Sequence, residues 1–147
     1  SCGRRGCFEA YASATALTKM TKEKMEELSL KGIPSKLFEV AEKEGKVSAR
    51  TAFNAADGGD EYAKEIVKFY IEHLAIGITN MINIFQPEVL SIGGGVSGEG
   101  DYLLDMLIPL IHVEVYGQGI VPGTDIRIAA LGNDAGIIGA ALLGVGQ

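Results

Sequence analysis

Cysteine is scarce in this sequence: two residues, Cys2 and Cys7, among 147. That is too few for a secreted disulfide scaffold of this length, which points to a reducing, cytoplasmic compartment. Long apolar runs are missing too. No stretch of about eighteen consecutive apolar residues occurs, so no segment is built to span a bilayer. The first residues are rich in glycine and arginine and lack the apolar centre of a signal peptide. Positive charge is in deficit, with 13 Lys+Arg against 19 Asp+Glu and a net charge of −6. This balance argues against nucleic acid or an anionic membrane as the main partner. An initiator methionine is also lacking. The chain opens on Ser1, inside what reads as a motif, as expected of a piece of something longer.

What is present fits one soluble globular domain. Hydrophobic residues make up 47% and charged residues 22%, and a chain of this length buries about two thirds of its extended surface. The first half reads as helical: Glu9–Met20 is alanine-rich, and Thr21–Leu30 is a shorter, charged segment stopped by Gly32-Ile33-Pro34. Ser35–Glu44 and Ser48–Ala56 read as two more helices, with Gly45 between them. From Asp60 to Phe85, apolar residues fall at Ala63, Ile66, Val67, Tyr70, Leu74, Ile78, Met81, Ile82 and Phe85. These steps of three and four predict one long amphipathic helix, buried all round toward its C-terminal end. Met81 and Phe85 are expected in the core.

The second half changes character. Glu88–Ile92 predicts a short strand ending at Gly93-Gly94-Gly95, and Asp101–Glu114 a helix with a kink at Pro109. Asp125–Leu131 predicts a second strand, and Asn133 or Asp134 a cap for a last helix to Leu143. This order predicts an α/β fold with a right-handed crossover between parallel strands. Two strands do not make a stable sheet over so much helix. Either a strand lies within Val113–Pro122 or residues outside the chain complete the sheet, and the second is the expectation.

Several residue groups could carry chemistry. Cys2 and Cys7 flank Gly3 and Gly6, which permit a tight turn. Zinc wants four ligands, this pair supplies two, and neither His73 nor His112 is an evident third. Spacing alone leaves a metal half-site, a disulfide and ordinary free thiols all open. Glu9 sits in the first turn of a helix, where the dipole favours a carboxylate, or it contacts a ligand. Gly93-Gly94-Gly95-Val96-Ser97-Gly98 follows a strand, yet Gly100 indicates that the next helix has not begun, and the acidic partner of a dinucleotide fingerprint is missing. A glycine turn at a strand's C-terminal end still lets a phosphate approach backbone. Asn133-Asp134 reads as a helix cap, and Arg4 and Arg5 as a solvated turn.

The run Cys2-Gly3-Arg4-Arg5-Gly6-Cys7-Phe8-Glu9 resembles the end of the C-x-C-G-x-x-G-C-x-E signature of the ROK family (repressors, open reading frames, kinases). Its continuation "AYASATAL" looks especially like the bacterial glucokinases of that family. The pattern persists through "YIEHLAIGITNMINIFQPEVLSIGGGVSGEGDYLLD" and "LGNDAGIIGAALL", in blocks across the chain. The resemblance implies the C-terminal lobe of an actin/hexokinase-like (RNase H-like) ATPase fold, helix-rich with a short sheet. It implies one C-terminal sugar-kinase domain over residues 1–147, with a helical zinc- and sugar-side segment at 1–58 and a nucleotide-side α/β segment at 59–147.

The implied activity is transfer of phosphate from MgATP to a hexose, glucose above all, giving glucose 6-phosphate. Hexose and nucleotide would be the partners, and the protein a homodimer. Cys2 and Cys7 match two of the family's three zinc-binding cysteines, the other cysteine and a histidine falling before Ser1, so a structural Zn²⁺ site would be incomplete here. Glu9 matches the glutamate that grips the sugar hydroxyls. Gly93, Gly94 and Gly95 match the glycine turn near the nucleotide. The family's D-x-G-x-[TS] phosphate turn, catalytic aspartate and E-x-G-H sugar motif belong before Ser1. The chain by itself is therefore expected to be inactive, with no catalytic residue of its own. The alternative is the effector-binding lobe of a repressor of the same family, which would contact DNA through another segment.

Overall fold

Alanine favours helix throughout Glu9–Met20, but Ser13 interrupts it. Ser13 is extended (φ −99°, ψ 160°), and its hydroxyl accepts a hydrogen bond from the Ala16 N–H at 3.0 Å. That is the geometry of an N-cap, which offers the backbone an alternative to continuing the helix. The expected single helix is therefore α1 (Glu9–Ala12) followed by α2 (Ala14–Leu30). A second correction falls at Met20–Thr21, where two segments were expected. α2 runs straight through, with the buried Thr21 hydroxyl absorbed by donating to the Leu17 carbonyl at 2.8 Å. The structure, a computed structural model, describes residues 3–117, 119–120 and 123–143, without the side chains of Asn133 and Ala135.

Helices α3 (Lys36–Glu44) and α4 (Ala49–Asp57) follow as expected. Gly45 ends α3 in the left-handed region at φ 68°, where a residue with a β-carbon is strained. Ser48 opens α4 with a capping box to Thr51. The Glu44 carboxylate gathers this junction, accepting from the hydroxyls of Ser48 (3.1 Å) and Thr51 (2.7 Å) and from the Asn54 amide (2.8 Å). Burial alone would raise the Glu44 pKa, but these hydrogen bonds outweigh it and hold the carboxyl below its ordinary value.

The long helix, α5 (Glu61–Phe85), is present. Its expected stripe is buried at Ala63, Ile66, Val67, Tyr70, Leu74, Ile78 and Ile82. The C-terminal end differs from expectation. Met81 is 46% exposed and Phe85 70%, and Ile84 on the same stretch is also exposed. They are not core residues here, because no described residue covers that face. The chain forms two compact units, one running to Ile78 and the other beginning at Thr79, so the boundary falls inside α5.

In the first unit Leu17, Leu28, Leu37, Phe53 and Tyr70 are all buried, and the Phe53 and Tyr70 rings meet edge to face at 6.4 Å and 85°. Such a pair contributes about 0.5–1.5 kcal/mol beyond its buried area. In the second unit, β1 (Val89–Ile92) pairs with β2 (Asp125–Ile128) in parallel, Val89 opposite Asp125 and Ile92 opposite Ile128. Helix α6 (Asp101–Glu114) connects them and continues through Pro109. Its Leu103, Leu107 and Ile111 are fully buried, and Ile126 of β2 is buried as well. Strand β2 is shorter than the expected Asp125–Leu131: after the Ala129 N–H donates to Ile92 O at 2.8 Å, the Gly132 N–H turns back to Ala129 O at 3.1 Å. Helix α7 (Ala135–Leu142) closes the described chain. The described residues of Val113–Pro122 form no strand, so two strands are all that the described residues contribute to the sheet.

Candidate functional site

In the first unit, Gly3 and Gly6 both lie in the left-handed region, at φ 73° and 75°. They turn the chain sharply into Cys7, which is exposed and free of any disulfide. Cys2 lies outside the described residues. Among the described residues no three His, Cys, Asp or Glu side chains gather as a metal site. The chemistry of the turn, an exposed thiol presented directly after a left-handed glycine, suits one corner of a zinc tetrahedron; further donors must come from elsewhere. Arg4 and Arg5 are exposed, as expected.

Cys7 leads directly into α1. The Ala10 N–H donates to Cys7 O at 2.9 Å, and the Tyr11 and Ala12 N–H groups donate to Phe8 O at 3.0 and 2.9 Å. Glu9 is the first helical residue and is exposed. The structure thus brings Cys7 and Glu9 onto one short turn-helix segment.

Three contacts hold that segment against α5. The Phe8 ring lies where a side chain on Gly77 would begin: a β-carbon there would come within 2.0 Å of its Cε2. The Tyr11 ring stacks on His73, with centroids 5.1 Å apart and planes 12° from parallel. The Tyr70 hydroxyl donates to Ala12 O at 3.2 Å. Burial pushes the Tyr70 pKa up to about 12, so it stays a donor across the physiological range. The sequence places Tyr70 in the apolar stripe and offers His73 only as an unconvincing zinc ligand; it does not identify any of the three as a support for this segment. Gly77 carried the one available signal, an isolated glycine inside a strongly apolar helix, which implies a packing reason for its cost.

The second candidate lies in the other unit, at the C-terminal ends of the strands, the edge where parallel α/β sheets bind ligands. Gly93 follows β1, and a β-carbon on it would meet only the Ala129 side chain, at 3.7 Å. Gly94 has φ 84° and ψ −167°, and no atom lies within 4 Å of where its β-carbon would be. It is an open, glycine-only stretch of backbone. Gly95 begins a 3-10 turn, Gly95–Glu99, in which Ser97 folds back to Gly94 O through both its N–H (3.2 Å) and its hydroxyl (2.6 Å). Gly100, at φ 59°, then delivers the chain to α6, so the helix starts after Gly100, as the sequence indicated. A matching 3-10 turn, Gly132–Asp134, follows β2 and packs beside the first. The cap expected of Asp134 is not made: its backbone is already helical (φ −82°, ψ −12°) and its side chain makes no capping bond. The Asn133 side chain lies outside the described residues. Gly132 was missed as part of this edge because it reads singly as the ordinary end of a strand.

A cavity of about 320 Å³ also exists in this unit, lined by Ile82, Asn83, Ile111, His112, Thr124 and Ile126 among others. Its lining residues Gln86, Gly123 and Thr124 lie just ahead of β1 and β2, at the edge opposite the glycine turn.

The ROK family profile matches residues 1–146. This chain belongs to the ROK family. A glucokinase from Halalkalibacterium halodurans is 38% identical over 97% of this chain and 42% of its own length. A solved ROK family glucokinase from Streptomyces griseus, in complex with glucose and AMPPNP, superposes with a TM-score of 0.77 at 27% identity, covering 97% of this chain and 45% of its own. A xylose repressor from Caldicellulosiruptor bescii is 30% identical over 76% of this chain and 27% of its own length. The ROK chain therefore spans less than half the length of these relatives. Its fold is that of the actin/hexokinase-like ROK sugar kinases, helix-rich with a small parallel sheet. No helix among the described residues is long and apolar enough to cross a membrane.

Proposed function

We propose that this ROK chain is the C-terminal lobe of an ATP-dependent hexose kinase that converts glucose and ATP to glucose 6-phosphate. The observation that carries the proposal is the exposed Glu9, at the head of a short helix fastened to α5 by its neighbours. A rigidly held carboxylate can accept hydrogen bonds from sugar hydroxyls, and the glucokinase likeness supports glucose as that sugar.

Glu9 positions the hexose rather than taking its proton. Phosphoryl transfer needs a base at the attacking hydroxyl and in-line, metal-bound phosphates. The chain carries no match to that base, and the lobe by itself is inactive. Gly93, Gly94 and Gly95 border the nucleotide, where open backbone at Gly94 admits phosphate or ribose without a β-carbon in the way. ATP would supply the phosphoryl group, and Mg²⁺ would neutralise charge on its phosphates. Cys2 and Cys7 contribute two sulfur ligands to a structural Zn²⁺ completed from outside this chain, and the full protein is a homodimer.

The test is direct: the full-length protein is assayed with ATP against glucose, fructose, mannose and N-acetylglucosamine. Glucose 6-phosphate formation with the highest kcat/KM for glucose supports the proposal, and failure to phosphorylate any hexose rejects it. The xylose repressor likeness favours a second reading, an effector-binding lobe. Sugar-dependent DNA binding by the full-length protein, without phosphorylation, would establish that reading instead.

A further inference from the structure

Helix α1 is four residues long, far below the length at which a helix holds itself together in water. Its orientation must come from what it touches. Tyr70, His73 and Gly77 stand at spacings of three and four along α5, hence on one face. Phe8, the N-cap of α1, stands three and four positions before Tyr11 and Ala12. The contacts pair them in order: Tyr70 with the Ala12 carbonyl, His73 with Tyr11, Gly77 with Phe8. At about 100° per residue, Glu9 falls on the flank of α1, about 100° round from Phe8, clear of the ring contacts.

We propose that Tyr70, His73 and Gly77 form a positioning platform that aims the Glu9 carboxylate at the sugar, with Gly77 setting the depth at which α1 sits. This deepens the sugar-kinase reading and rests on it. Gly77 is the pivot of this platform. A β-carbon there would meet Cε2, Cζ and Cδ2 of Phe8 at 2.0, 2.3 and 2.6 Å, so even alanine forces the ring to move. Phe8 is the residue immediately before Glu9; its half-exposed ring can swing out to make room, and α1 then loses the anchor nearest the carboxylate. His73 is itself fixed: its Nδ1 lies 2.8 Å from Phe69 O, and its ring lies 4.1 Å from that of Phe69. The Tyr11 stack is therefore built on a stationary surface.

The experiment is steady-state kinetics on full-length Gly77→Ala, with Phe8→Ala, the double variant and Glu9→Gln alongside. Alanine is the better helix former, so a purely local role for Gly77 predicts unchanged kinetics and a protein at least as stable. The platform predicts a glucose KM raised roughly tenfold or more, kcat changed less, and ATP KM unchanged, as a displacement of about 1 Å would cause. In the Phe8→Ala background, Gly77→Ala should add nothing further, because the ring it displaces is gone. Additive effects, or a wild-type glucose KM in Gly77→Ala while Glu9→Gln raises it, overturn the platform and leave the sugar assignment standing. A wild-type glucose KM in Glu9→Gln overturns that assignment and the platform with it. Should Gly77→Ala not fold, His73→Ala and His73→Phe decide: the ring-bearing variant must keep the lower glucose KM, and equal values overturn the proposal.

Discussion

The Asp60 carboxylate accepts a hydrogen bond from the Ser35 hydroxyl at 2.7 Å, across 25 positions of sequence. The same oxygen accepts from the Lys36 N–H at 2.7 Å, and the other oxygen accepts from the Ala63 N–H at 2.9 Å. One buried carboxylate thus closes the N-terminal ends of α3 and α5 together. Burial alone would raise its pKa, but hydrogen bonds from Ala63, Ser35, Lys36 and Tyr62 prevail and hold it below the ordinary aspartate value of 3.8.

Replacing Asp60 with alanine leaves those donors unsatisfied and should lower unfolding stability by about 1–3 kcal/mol. The pH dependence follows from the sign of the shift. A depressed carboxyl contributes its full stabilisation above its unfolded pKa and loses it as pH falls through the lower folded value. Urea denaturation from pH 7 down to acid should show wild type and Asp60→Ala converging below about pH 4. A constant gap across that range would contradict the account.

Tyr70 predicts the opposite edge of the pH scale. Its hydroxyl stays protonated in the fold up to about 12, against an ordinary value of 10.0. Stability tied to the neutral hydroxyl is therefore present below pH 10 and lost as pH rises toward 12. Tyr70→Phe removes the bond to Ala12 and should cost about 1 kcal/mol at neutral pH. The gap to wild type should narrow in alkali, measured by denaturation at pH 8 and pH 11.

In the other unit, the Asn83 Oδ1 accepts from the Tyr116 N–H at 2.9 Å, and its amide reaches Glu114 O at 3.5 Å. This side chain secures the exit from α6. Asn83→Ala should accelerate hydrogen exchange at the Tyr116 amide, with a global stability loss of about 0.5–1.5 kcal/mol. Unchanged exchange at that amide would show the bond is dispensable.

The thiol turn makes a prediction about metal. In the full-length protein, Cys7→Ser should lower bound zinc, measured by elemental analysis, and raise the glucose KM because the same turn leads into Glu9. Zinc content equal to wild type would reject Cys7 as a ligand.

Where one pattern dominated, the sequence was readable. The α5 stripe from Ala63 to Ile82 is buried as its spacing demands, apart from Met81, while β1 starts one residue later and β2 ends three residues earlier than expected. The break at Ser13 was hidden because alanine-rich flanks favour helix on both sides, and only the serine's capping bond decides between them. Met81 and Phe85 look like core by periodicity, yet burial depends on having a partner surface, and none of the described residues provides one. At the candidate sites, the chemistry-bearing residues Cys7, Glu9 and Gly94 were visible as residue types. Their supports were not. Tyr70, His73 and Gly77 lie some sixty positions from the residues they touch, and nothing local in the sequence joins the two.

The most direct test of the sugar-gripping role is the glucose KM of full-length Glu9→Gln at saturating MgATP. Loss of charged hydrogen bonds to sugar hydroxyls is worth about 1.5–3 kcal/mol, so KM should rise roughly 10- to 100-fold while the ATP KM holds. A glucose KM equal to wild type would contradict the assignment of Glu9 to the hexose.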